Sequence, residues 1–226
     1  MTAPADAGFS TEWFVANIPH WERWLGPLRG RAGLRALEIG SFEGRAAVWL
    51  LENILTDPSS SIDCIDLFRP NGVYADFHER FRANTAPWGA RVREHAGPSF
   101  EMLPRMQGPF DIVYVDGWHT AWGTLSDGVM SWPLLKVGGV MIFDDYLWLP
   151  PDHQPLPRPS GLARKLAHWR GSHWRRDATA AAIARIPAAT PKLGIDSLLA
   201  ALDGHYELIG KDYQLAVRKT REFSDE

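Results

Sequence analysis

The sequence predicts a doubly wound α/β fold, and three observations carry the prediction. Short apolar runs alternate with stretches of helical periodicity from Leu34 to Phe143, two glycines bracket the first strand-to-helix turn, and carboxylates stand just beyond several strands. The chain has 226 residues, enough for one compact domain that buries a core without disulfides or a structural metal. The organisation expected is a single domain over 1–226, with a helical preamble over 9–30 and a proline-rich, basic insertion over about 150–187.

Taken in order, Ser10 or Thr11 can cap a short helix through Asn17, and Pro19 suits the start of a second helix carrying Trp21, Trp24 and Leu25. Leu34 to Ile39 reads as a short strand. Arg45 to Leu55 follows with Val48, Leu51, Ile54 and Leu55 on one helical face. The alternation continues through a strand Ile62 to Leu67, a helix around Ala75 to Asn84, a strand Arg91 to His95 and a helix Phe100 to Met106. A strand Asp111 to Val115, a helix Thr124 to Leu135 and a strand Val140 to Phe143 complete it. Such spacing predicts a mostly parallel sheet covered on both faces, with ligands beyond the carboxyl ends of its strands.

Five prolines between Pro150 and Pro159 exclude regular helix and central strand there. Ser160 to Arg176 turns basic with helical spacing, Leu162, Leu166 and Trp169 sharing a face, and resembles an insertion or lid. A helix through Leu198 and Leu199 follows Pro191. Two last strands, Tyr206 to Ile209 and Tyr213 to Arg218, are joined in hairpin fashion by Gly210, Lys211 and Asp212.

Bulk properties exclude more than they assign. A formal net charge of −3 with both signs scattered points to neither nucleic acid nor an acidic membrane. Cys64, the only cysteine, suits a reducing compartment, and no apolar run reaches the roughly 18 residues of a membrane span, so a cytoplasmic location is expected. Seven basic side chains between Arg158 and Arg185 raise nucleic-acid methylation as an alternative, but Asp152 and Asp177 dilute the patch and charge runs are usually solvated faces. His153, His168 and His173 have no spacing that suits a helix-based metal site.

The chemistry concentrates in two places. In LEIGSFEG, Leu37 to Gly44, glycine lets a ligand approach the main chain closely, the amides opening the Arg45 helix can face a carboxylate, and Glu38 attracts a cationic amine. An anion site beside a cation site suits the zwitterionic end of S-adenosylmethionine. The dinucleotide fingerprint is absent, because Phe42 stands where its second glycine belongs. Asp66, at the end of the second strand, is placed to accept hydrogen bonds from a ribose diol.

The second place is built from two strand ends. FDIVYVDGWH sets Asp116, Gly117, Trp118 and His119 beyond one strand, and GGVMIFDDY sets Asp144 and Asp145 beyond another. If these strands are neighbours, three carboxylates meet, and a hard divalent cation such as Mg²⁺ relieves their repulsion. His119, with an ordinary pKa near 6.5, is then placed to take a proton from a hydroxyl as general base.

LEIGSFEG, CIDLF, the Gly97-Pro98-Ser99 turn, YVDGWH and GGVMIFDDY, in this order and spacing, resemble the class I S-adenosylmethionine-dependent methyltransferases. Within them the chain is similar to the metal-dependent small-molecule O-methyltransferases, including catechol O-methyltransferase and the macrocin-type sugar O-methyltransferases. The resemblance implies a Rossmann-like seven-stranded sheet with an antiparallel last strand. It implies that Glu38 and the loop Gly40, Ser41, Phe42 and Gly44 hold the methionine part, that Asp66 binds the ribose, and that Ser99 with Trp118 takes the adenine side. Leu67, Gly97 and Asp116 would also bind the cofactor. Asp116, Asp144 and Asp145 would bind Mg²⁺, and His119 would be the base, as in the sugar-modifying branch. Where relatives carry serine in the helix after the glycine loop this chain has Ala46, so the methionine carboxylate leans on backbone amides.

The function expected is Mg²⁺-dependent O-methylation of a hydroxylated small molecule, a sugar or sugar-containing metabolite being one candidate. No nucleic-acid or membrane partner is expected, and self-association into a homo-oligomer is left open. A cofactor-binding partner of a biosynthetic complex that has lost catalysis is the alternative from another class.

Overall fold

A computed structural model describes residues 8–69, 74–153 and 178–223. Its sheet holds β1 (Arg35–Ile39), β2 (Ser61–Asp66), β3 (Val92–Ala96), β4 (Phe110–Val115), β5 (Leu135–Phe143), β6 (Tyr206–Lys211) and β7 (Leu215–Lys219), in the order β3-β2-β1-β4-β5-β7-β6. The first five strands run parallel, and β7 pairs antiparallel with both β5 and β6. The doubly wound reading and the antiparallel last strand are borne out. Winding changes direction between β1 and β4, which opens a crevice at their carboxyl ends.

Alternation along the strands divides the interior. On β4, Ile112 and Tyr114 face one layer, with Trp21, Leu50 and Leu51, while Val113 and Val115 face the other, with Trp132, Leu198 and Val217. Sheets buried on both faces read as continuous apolar runs, as this one does. Helices α1 (Ile18–Leu25), α2 (Arg45–Asn53), α3 (Phe77–Thr85), α4 (Ser99–Met102), α5 (Ala121–Ser131) and α6 (Pro191–Ala201) supply the covering layers, and 178–183 is also helical. Among the described residues no helix is long and apolar enough to cross a membrane.

Several boundaries differ from expectation for identifiable reasons. Ser10 caps no helix, because its amide and hydroxyl both bond Glu43, at 2.6 and 2.7 Å, and only a 3₁₀ turn, Val15–Asn17, follows. The helix expected from Thr124 begins at Ala121, with Thr120 accepting a 3.1 Å bond from the Gly123 amide, and it stops at Ser131 ahead of Pro133. Met106 lies outside a helix, since Pro104 limits the segment to the single turn of α4 and a 3₁₀ turn, Leu103–Arg105. The strand expected from Val140 begins at Leu135, with Gly138 inside it at φ 83°. The basic stretch Ser160 to Arg176, with His168 and His173, lies outside the described residues.

The preamble belongs to the core. Trp21 is fully buried, packs edge-on against Tyr114 at 4.7 Å and Trp49 at 5.6 Å, and donates a 2.8 Å hydrogen bond to Gln214. A Trp indole that finds a polar partner at depth is the arrangement burial requires.

Candidate functional site

Register brings the two motifs together. Ile39 pairs with Val115 and Val115 with Phe143, so Gly40, Asp116 and Asp144 leave adjacent strands side by side. The Asp116 amide donates to Ile39 O at 2.8 Å and the Asp144 amide to Val115 O at 3.0 Å. Contact at Gly40 is so close that a Cβ there would lie 1.9 Å from the Asp116 carbonyl oxygen, at a φ of 87°. Only glycine fits. A cavity of about 1270 Å³ opens over these strand ends and reaches both motifs.

At one end of it Glu38 is 1% exposed and lines the cavity, and its Oε2 has no hydrogen-bond partner among the described residues. Burial pushes its carboxyl up to about 8, only partly offset by the Ser41 hydroxyl and the Cys64 thiol, while Asp116 and Asp66 add repulsion. A buried carboxylate with an orphaned oxygen calls for a cation. Beside it Asp66 Oδ2 accepts the amides of Ser41 and Phe42, both at 2.9 Å, and Oδ1 accepts the Phe68 amide at 3.0 Å. Three of a carboxylate's roughly four acceptor positions are thereby used on backbone. Asp66 thus shapes the glycine loop, with one acceptor position unused among the described residues. Phe42 and Phe68 both adopt φ of 47°, a strained conformation that these bonds help to hold.

Gly97 and Ser99 line the cavity wall, where Gly97 takes φ of 155° against Met102. Trp118 and Leu67 sit at the mouth, 62% and 50% exposed.

The other end is acidic. Asp116, His119 and Asp145 each bring a ligand atom within 4.8 Å of the other two, His119 Nε2 standing 3.3 Å from Asp116 Oδ1 and 3.2 Å from Asp145 Oδ2. Asp144 lines the same cavity beside that group: the Tyr114 hydroxyl donates to it and, at 3.1 Å, to Asp116 Oδ2, while Asp144 Oδ1 accepts the Asp145 amide at 2.7 Å. Tyr213 donates to Asp145, which is itself held at a left-handed φ of 58°.

Electrostatics records the crowding. Burial, then the charge of Asp116, pushes Asp144 well above the usual carboxylate range and Asp145 up to about 6. For His119, burial pulls downward, but its hydrogen bond and attraction to Asp116, with Asp145 and Asp144 behind, outweigh it and raise the imidazole to about 9. The hard carboxylate oxygens of this end fit a hard divalent cation, with the His119 imidazole beside them.

Sequence reasoning missed Tyr114 and Tyr213. Tyr114 stands two residues before Asp116 on β4 and so faces the same side of the sheet, a signal available from alternation alone. Tyr213 comes from the turn between β6 and β7, and no local pattern announces a contact 68 residues from Asp145. Asp127, buried on α5 and pushed up to about 6 by burial, also went unremarked.

Comparisons with known proteins bear on the family and the fold. Residues 37–146 match the family model of a methyltransferase domain. The chain is 30% identical over 112 residues to the O-methyltransferase hkm8 of Aspergillus hancockii, a match spanning 49% of this chain and 42% of that protein. Among solved structures, the MycE methyltransferase of the mycinamycin biosynthetic pathway, in complex with Mg and SAH, superposes with a TM-score of 0.57 at 21% identity, over 94% of this chain and 51% of its own. SAH-bound PaMTH1 of Podospora anserina gives 0.51 at 19% identity, over 82% and 71%.

Proposed function

We propose that this chain, which belongs to the class I S-adenosylmethionine-dependent methyltransferases, methylates a hydroxyl group of a small molecule with the help of a hard divalent cation. The observation that carries the reading is one cavity with two unlike ends. An orphaned buried carboxylate, Glu38, stands at one, and the cluster of Asp116, His119 and Asp145 at the other.

S-adenosylmethionine supplies a methyl group made electrophilic by its sulfonium. Glu38 holds the amine of the methionine part, the loop from Gly40 to Gly44 follows its backbone, and Asp66 keeps that loop in shape while offering its last acceptor position to the ribose. Gly97, Ser99 and Trp118 flank the adenosyl group. Asp116, Asp144 and Asp145 would hold the divalent cation, which supplies Lewis acidity toward an acceptor hydroxyl. His119 Nε2 would take the hydroxyl proton as the acceptor oxygen bonds to the methyl carbon and the methyl–sulfur bond breaks, leaving neutral S-adenosylhomocysteine. An imidazole raised to about 9 is already protonated at neutral pH, so it serves as a base only when a cation takes up the carboxylate charge that raises it. The cation and the base therefore depend on one another.

Assembly of His119 among carboxylates favours an enzyme over a binding module without catalysis. The acceptor is proposed as a hydroxylated small molecule, with a sugar-containing metabolite as one candidate, as the mycinamycin VI complex of MycE suggests by analogy. Labelled S-adenosylmethionine offered with a panel of hydroxylated metabolites, with and without Mg²⁺, tests the proposal. Transfer that requires the metal and disappears in His119→Ala supports it; cofactor binding without transfer to any acceptor favours the binding module.

A further inference from the structure

The Ala46 position poses a question about the other half of the zwitterion. Gly44 caps α2 in a left-handed conformation at φ 80° and offers no side-chain oxygen, so the leading amides of this nine-residue helix have neither an intrahelical acceptor nor a side-chain cap. Arg45, the first residue of α2, lines the same cavity as Glu38. Its Nε is buried without a hydrogen-bond partner among the described residues. Its guanidinium lies over the Phe9 ring, 4.4 Å from the centroid, and Phe9 is fixed in turn by the two bonds from neighbouring Ser10 to Glu43. An arginine stacked in place with its Nε unpaired among the described residues mirrors Glu38, whose Oε2 is likewise unpaired there.

We infer that Arg45, together with the first amides of α2, binds the carboxylate of the methionine part of the cofactor and replaces the serine hydroxyl that Ala46 lacks. This rests on the methyltransferase reading and deepens it: from the walls of one cavity Glu38 takes the amine and Arg45 the carboxylate of the same amino acid. Guanidinium fits a carboxylate with two parallel hydrogen bonds and costs little ordering when already stacked. The segment ahead of α1 then acts as a strap that presents Arg45 to the ligand.

Calorimetry with the full chain and three probes tests the assignment. S-adenosylhomocysteine carries amine and carboxylate, its decarboxylated analogue keeps only the amine, and 5′-methylthioadenosine has neither. Arg45→Met is expected to weaken S-adenosylhomocysteine about 10- to 100-fold while leaving the other two within about twofold, as charge-assisted hydrogen bonds imply. Arg45→Lys, a milder change, should fall between native and Met. Equal loss for all three probes in both variants, or no loss for S-adenosylhomocysteine, would overturn the role of Arg45. A native chain that binds none of the three would instead overturn the methyltransferase reading on which the role depends.

Discussion

The two ends of the cavity solve the same electrostatic problem differently. At the glycine loop the acids are separated in function: Asp66 is occupied by three backbone amides, and Glu38 keeps an oxygen unpaired among the described residues. At the ends of β4 and β5 three carboxylates share two tyrosine hydroxyls and one imidazole, and the surplus appears as raised proton affinity in Asp144, Asp145 and His119. On the proposed function, one end receives an organic cation of fixed shape. The other receives a charge that can be shared among several oxygens, as a metal ion is and an ammonium group is not. A fold can thus sort two cations by the arrangement of its acids alone.

The contrast can be broken most severely at the acidic end. Asp145→Asn retains a residue that tolerates a left-handed backbone but removes a charge, and turnover should fall by about 10³-fold or more, with S-adenosylhomocysteine affinity changed by less than about threefold. Steady-state kinetics beside calorimetry checks both halves. His119→Ala is expected to lower turnover at saturating acceptor by about 10²- to 10⁴-fold, the range for a positioned base.

At the other end the effect is on stability. The folded chain holds a proton on Glu38 up to about pH 8, whereas an unfolded glutamate releases it near 4.5. Between those values the native state binds more protons than the unfolded one, so this group's contribution declines as pH rises. Without ligand, Glu38→Gln should melt several degrees above the native chain at pH 8.5 and level with it near pH 4.5. Differential scanning fluorimetry across that range decides it. The smallest effect belongs to Tyr213→Phe, which removes one bond to Asp145 and should cost only a few-fold in turnover, mostly recovered at higher Mg²⁺.

The motifs were legible because the physics that makes them is local. Strand ends, glycine at close approaches and carboxylates at turns are all set within a few residues, so Glu38, Gly40, Asp66, Asp116 and His119 could be placed from the chain alone. Long-range pairing was not legible. The sequence placed Asp144 and Asp145 together at one strand end; that only Asp145 faces His119 follows from the phenols of Tyr114 and Tyr213, the second delivered by a hairpin whose register depends on β5. Element ends were blurred wherever a proline or glycine served a contact instead of a break. Gly123, which lets Trp118 pack within 2.6 Å of where its Cβ would stand, is the clearest instance.

The idea at the centre is that Glu38 is a buried acid awaiting the amine of S-adenosylmethionine. Calorimetric titration with S-adenosylhomocysteine at pH 7, repeated in two buffers of different ionisation enthalpy, reads it directly, because an acid raised to about 8 must give up its proton when the amine arrives. The native chain is expected to release about one proton per cofactor bound and Glu38→Gln none. Binding that releases no proton from the native chain, or no binding at all, would contradict it.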